Sequence, residues 1–223
     1  MRTSIDKVFK DLETQGNQKR IDFNQKRGWT GPQYGLNLGQ LRSYAKKHKQ
    51  DHELACELVT SDNLDVLILS YMLMEPKQLS LLEIEAYLPS YPQLVDEYVH
   101  QVVSKTSHLK SLSLNWIHNQ KENYRQAGWK GIVHLVEAYS LGEDELNELL
   151  DKIYEELSHA QGATQFNMNH ALAQIGIENE TLRSRARTIA TELAVYKEMK
   201  VARGCTSPYA IEWIDVILKK RSE

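Results

Sequence analysis

The chain has 223 residues, 41% of them hydrophobic and 26% charged, with 11 Gly and 5 Pro. This is the composition of a soluble globular protein with enough material for a sizeable core, and it excludes a disordered, collagen-like or turn-rich all-β chain. The net charge of −3 hides an asymmetry: residues 1–50 carry +7, residues 51–182 carry −14 and residues 183–223 carry +4, so basic ends can share one face against a polyanion.

The N-terminal stretch MRTSIDKVFKDLE is too charged for a secretion signal. The longest apolar run, 66–74, is interrupted by Ser70 and far short of a membrane span. Cys56 and Cys205 form no Cys-x-x-Cys pair, so the expectation is a reducing cytoplasm with both thiols free.

Apolar residues recur at helical spacing over 4–14, 17–27, 38–47, 51–61, 64–74, 80–88, 93–104, 109–118, 121–139, 145–158, 164–176, 180–195 and 207–220. In 145–158, Leu146, Leu149, Leu150, Ile153 and Leu157 share one face and acids take the other. Asn37 and Ser80 are N-cap types, and Ser207 is expected to cap the last helix with Pro208 in its first turn. Gly142, Gly162 and the pair Arg203-Gly204 read as stops. About a dozen helices with short connections predict an all-α fold, an α-solenoid of HEAT-like helical hairpins in a single domain, 1–223, rather than a four-helix bundle. No crisp internal repeat accompanies the pattern, so periodicity alone speaks for helices more than for a solenoid.

Few patterns carry chemistry on their own. His48 and His52 stand at i, i+4 around Asp51, but no His-Glu-x-x-His, calcium loop or Cys/His cluster supports a metal. No phosphate-cradling glycine motif follows a strand, and 28–32 reads as a turn, so no nucleotide is expected. Cys205 follows a glycine near Arg203 and precedes a helix, which favours a thiolate. No neighbouring histidine can serve as its base, and it reads as a small residue in a helix-entry turn. The segment QKRIDFNQKRGWTGPQYG (18–35) interleaves Lys19, Arg20, Lys26 and Arg27 with Phe23, Trp29 and Tyr34. Such a pattern suits phosphate neutralisation and stacking. It suits equally an amphipathic helix with core aromatics and solvated charges.

Several segments together resemble the bacterial DNA alkylation repair proteins of the AlkD type. They are YGLNLGQLRSYAK (34–46), ACELVTSDNLDVLILSYMLMEPKQLS (55–80), NWIHNQKENYRQAGWKGIVHLV (115–136), NMNHALAQIGIENETLRSRA (167–186) and GCTSPYAIEWI (204–214). The resemblance implies a HEAT-like solenoid whose basic N-terminal helices help form a concave DNA-binding face. It implies hydrolysis of the N-glycosidic bond of cationic alkylated purines, in which a carboxylate stabilises the developing sugar cation. Carried onto this chain, that carboxylate is Asp96 and its basic partner, holding a backbone phosphate, is Arg125.

Departures from the family pattern are equally specific. Pro92, with Tyr91 beside it, stands where the glycosylases have a Trp four residues before the Asp. Gln126 replaces the second of two arginines, and the later family Trp falls near Ala173-Gln174. Tyr91 and Trp129 are the candidate substitutes as sugar walls, and Lys19, Arg20, Lys26, Arg27 and Arg42 the candidate DNA contacts. The expected partner is double-stranded DNA, intact or damaged, bound by a monomer with no metal, cofactor, nucleotide or membrane. The function read from this is a DNA-binding protein resembling alkylpurine DNA glycosylases. The alternatives are a catalytically inactive member that binds DNA through its backbone, and a HEAT-like interaction scaffold, which the acidic middle favours.

Overall fold

A computed structural model describes residues 4–48 and 51–223. Arg2 and Lys49, two cations of the basic first fifty residues, lie outside the described residues. Among the described residues there are thirteen α-helices and no strand. They gather into two compact units, residues 1–108 and 109–223.

The first unit comprises α1 (Ile5–Thr14), α2 (Gln18–Gln25), α3 (Leu38–His48), α4 (His52–Leu58), α5 (Leu64–Leu73), α6 (Leu81–Ala86) and α7 (Pro92–Gln101). Its centre is α5. The sequence LDVLILSYML is apolar on every side, which only a fully enclosed helix tolerates, and α1, α3, α4 and α7 pack around it. Asn63 caps it, its Oδ1 accepting from the Asp65 and Val66 amides at 3.0 and 3.3 Å. Ser80 and Glu83 close a reciprocal capping box on α6, and Asn37 and Gln40 make the same exchange on α3.

Asp65, in the first turn of α5, is only 1% exposed. Its Oδ2 accepts the Tyr34 and Gly35 amides at 2.7 and 2.8 Å, and the Leu36 amide also donates to the carboxylate. Burial raises the Asp65 carboxyl above its ordinary value, while these three donors and the positive charge of Arg20 pull it down. Gly35 has φ +81°, and a Cβ there would collide with the Asn17 carbonyl and with Ile21. The Asn17 amide in turn donates to the Tyr34 carbonyl at 2.8 Å. The start of α2 is therefore fastened through residues 34–36 to a carboxylate in the core.

The second unit comprises α8 (Leu109–Trp116), α9 (Glu122–Glu137), α10 (Glu143–Glu156), α11 (Gly162–Glu178), α12 (Arg183–Leu193) and α13 (Ala210–Ser222). Here α11 is the enclosed helix, packed by α9, α10, α12 and α13. Its asparagines are structural. Asn167 Nδ2 donates to the Gln126 carbonyl of α9 at 3.2 Å, and Asn169 Nδ2 to the Pro208 carbonyl at 2.7 Å. Arg183 caps the far end, donating to the Gly176 and Ile177 carbonyls at 2.8 and 3.2 Å. Gly128 lets α9 lie against the end of α8, since a Cβ would fall 2.6 Å from the Ile117 amide.

Four boundary expectations are corrected. The last helix begins at Ala210, so Pro208 precedes it, and Ser207 Oγ accepts the Tyr209 amide at 3.2 Å instead of capping the helix. The Asn169 bond to the Pro208 carbonyl holds this turn against α11. Gly142 and Gly162 mark starts rather than stops: Gly142 is the N-cap of α10, and Gly162, at φ +56°, opens α11. Helix α12 stops at Ala194, which takes the left-handed conformation, and not at the Arg203-Gly204 pair.

An Asp65→Ala substitution strands backbone amides that are wholly or partly buried. It should lower the unfolding free energy by about 3 kcal/mol in a denaturant titration, and a loss under about 1 kcal/mol would contradict this role. His170 provides a second test. Its ring stacks on Trp213 at 4.4 Å, and burial, with Lys130 and His134 adding positive charge, lowers its pKa to about 4. The folded state prefers the neutral ring, so stability present above pH 6.5 drains away as pH falls toward 4. The full effect is roughly 3 kcal/mol, and His170→Phe should flatten that part of the stability–pH profile.

Candidate nucleic-acid interface

Helix α2 buries one side chain, Asn24. Asn24 Nδ2 donates to Gln33 Oε1 at 2.8 Å, and Gln33 Nε2 donates to the Trp29 carbonyl at 2.9 Å. A helix polar on all sides gains little from burial, and this one is held by polar bonds. Lys19, Arg20, Lys26 and Arg27 are all exposed and form no ion pair among the described residues. The three aromatics of the segment divide: Phe23 is 42% exposed, whereas Trp29 and Tyr34 are half-buried. Burial, followed by the charges of Glu13, Asp65 and Asp62, raises the Tyr34 phenol. Arg42 is exposed on α3, with Leu41 and Tyr44 buried beside it.

The turn after α2 docks on the first turn of α7. Gln93 Nε2 donates to the Gly28 carbonyl at 2.6 Å. Gly31 lies so close to Leu64 and Tyr91 that a Cβ would come within 3.1 and 3.3 Å of them, and the Leu64 amide donates to the Pro32 carbonyl at 2.8 Å. Pro92 occupies the first position of α7, where its missing N–H costs nothing, and Tyr91 is the N-cap residue. Asp96 is half-buried one turn further along, while Leu94, Val95, Tyr98 and Val99 turn into the core. Tyr98 Oη donates to the Ile84 carbonyl at 2.7 Å, which locks the inner side of α7. Asp96, Tyr91 and the basic segment therefore sit on neighbouring elements of one unit.

Arg125 and Trp129 belong to the second unit, one turn apart on α9. Both line a cavity of about 320 Å³ with His118, Lys152, Glu156 and Thr164. Arg125 pairs with Glu122. Burial raises the Glu122 carboxyl, but the Thr164 hydroxyl and Arg125 outweigh it and hold the group below its usual value. Trp129 is 0% exposed within the core, so it packs the unit and offers no open ring face to a sugar. Ala173 is fully buried and Gln174 nearly so, its Nε2 donating to Glu178 Oε1 at 2.8 Å. The place of the second family Trp is a packing position.

The acidic middle is partly neutralised where its density is greatest. On α10, Glu145 pairs with Lys110, Asp151 with Arg185 and Glu156 with Lys152. Cys205 is exposed. Cys56 is half-buried, its Sγ 3.6 Å from His52 Nε2, and burial raises its thiol. Among the described residues, no group of three or more His, Cys, Asp or Glu could hold a metal, and no helix is long and apolar enough to cross a membrane.

Sequence reasoning missed the residues that position this surface: Asp65, Gln93, and the pair Asn24 and Gln33. Asp65 alone left a signal, a carboxylate inside the apolar run of α5 just after a capping Asn.

Comparisons with known proteins agree with this fold. A solved structure described as a new family of proteins related to the HEAT-like repeat DNA glycosylases, with affinity for branched DNA structures, superposes with a TM-score of 0.85. The two are 22% identical, and the match covers 98% of this chain and 95% of the other. The fold is thus the HEAT-like, all-α one. The uncharacterized proteins Lin0241 of Listeria innocua and Lmo0209 of Listeria monocytogenes are each 26% identical over 188 residues, covering 82% of this chain and 82% of each relative. The model of the DNA alkylation repair enzyme family matches residues 8–214. The chain therefore belongs to the DNA alkylation repair enzyme family.

Proposed function

We propose that this chain binds double-stranded DNA of distorted or branched structure through its sugar-phosphate backbone, with the cations of α2, joined by Arg42, as the principal contacts. The observation that carries this reading is the docking of the basic segment on α7 through Gln93 and Gly28, which leaves Lys19, Arg20, Lys26 and Arg27 exposed. These surface cations form no ion pair among the described residues, and Lys19 and Lys26 carry no other contact that the fold needs. Their natural counterions are phosphates. The affinity of the structural neighbour for branched DNA supports the choice of substrate shape. The ion pairs on α10 weigh against the scaffold reading, because they reduce the acidic face it requires.

Excision of alkylated purines is the second reading, and Asp96 favours it. A half-buried carboxylate one turn into α7, the helix whose N-cap residue is Tyr91, has the chemistry to stabilise a sugar cation. Pro92, Ala173 and Gln174 supply no aromatic wall, and Trp129 is enclosed. A carboxylate without such walls is better solvated and stabilises the developing charge less. Binding without excision is the reading we adopt.

Two measurements test it. Affinity for a four-way DNA junction should exceed that for linear duplex and fall steeply with salt. Lys19→Ala or Lys26→Ala should each reduce the slope of log K against log salt by about one. Incubation with methylated duplex should release no methylated base from either wild type or Asp96→Asn. Release by wild type that collapses in Asp96→Asn would establish a glycosylase instead.

A further inference from the structure

Phe23 is the one large apolar side chain exposed on α2, and its ring is not left bare. The Arg20 guanidinium lies 5.0 Å from the ring centroid and that of Arg27 lies 4.4 Å from it. Arg20 lies three residues before Phe23 on α2 and Arg27 four residues after it, in the turn that follows Gln25, so two cations seven residues apart meet at one ring. A guanidinium over an aromatic face is held by the ring quadrupole while its N–H edges stay outward. The nearest acid on the helix, Asp22, accepts from Gln18 Nε2 at 2.8 Å and takes neither arginine. Arg20 also senses the buried Asp65, whose carboxyl its charge pulls down.

We infer that Phe23 is a positioning residue that pre-organises Arg20 and Arg27 as a two-pronged clamp for two phosphates of a DNA backbone. This rests on the DNA-binding reading above and deepens it. A free surface arginine loses most of its rotamer freedom on binding a phosphate. Here part of that loss is already met in the unbound protein, because the ring holds both guanidiniums in place. In this inference Phe23 contributes through its arginines and not by reading the DNA itself.

The test is the affinity of wild type, Phe23→Ala, Phe23→Leu and Phe23→Trp for a four-way DNA junction at a series of salt concentrations. Phe23→Ala and Phe23→Leu keep every charge, so the salt slope should stay at the wild-type value while affinity falls about five- to tenfold. Phe23→Trp, with a stronger ring quadrupole, should retain wild-type affinity. Arg20→Ala and Arg27→Ala should lower both affinity and slope. Since Phe23 is partly exposed, none of its variants should shift the unfolding midpoint. Wild-type affinity in Phe23→Ala overturns the inference and leaves the DNA-binding reading standing, as does equal loss in Phe23→Trp and Phe23→Ala. Absence of any wild-type binding to DNA overturns both.

Discussion

The buried carboxylate of Asp65 satisfies backbone amides at residues 34–36 that belong to no helix, and the geometry of the first unit follows from that bond. Without it, wholly or partly buried N–H groups would lack partners, at a cost comparable to a large fraction of a domain's net stability. With it, Tyr34 and Gly35 are fixed, and Gly35 in its left-handed conformation lets the Asn17 carbonyl approach. The basic helix α2 is thereby seated mainly by polar bonds, with the half-buried Ile21 lying against Gly35. A helix that buries a single asparagine has no apolar stripe to hold it, so its position depends on a charge placed at the cost of desolvation one layer below.

This arrangement separates stability from function in a useful way. The core of the first unit forms around α5 and that of the second around α11, and both helices are buried along most of their length. The cations of residues 19–27 are exposed, and apart from the long-range pull of Arg20 on Asp65 they take no part in either core, so they remain available to an external polyanion. Family glycosylases combine a carboxylate with aromatic walls. This chain has Asp96 on α7, opens that helix with Pro92, and encloses Trp129. The proposed backbone recognition is compatible with that loss, because phosphate contacts need charge and placement but no cavity for a base.

Helix positions were legible in the sequence almost throughout, because α1, α5, α9 and α10 each carry an unambiguous apolar pattern or cap. The errors fell where a tertiary bond outranks local propensity. Ser207-Pro208 has the chemistry of a helix start, yet Asn169, 39 residues away, claims the Pro208 carbonyl and delays α13 to Ala210. Gly142 and Gly162 have the chemistry of stops, but glycine permits a start equally well when a following Glu145 supplies the cap. For the candidate site, the exposure of Lys19 and Arg20 could be guessed from the charge pattern. The exposure of Phe23 and the partial burial of Trp29 could not, since an aromatic in a basic helix reads as core or as contact until packing decides. Asp65 went unrecognised for a related reason. A lone carboxylate in an apolar helix reveals its partners only once the loop that donates to it is folded back.

The most direct measurement is residue-resolved amide hydrogen exchange with and without a four-way DNA junction at moderate salt. Added protection is expected in residues 18–31 and the first turn of α7, with little change along α10. Protection centred on α10, or none in residues 18–31, would contradict that expectation.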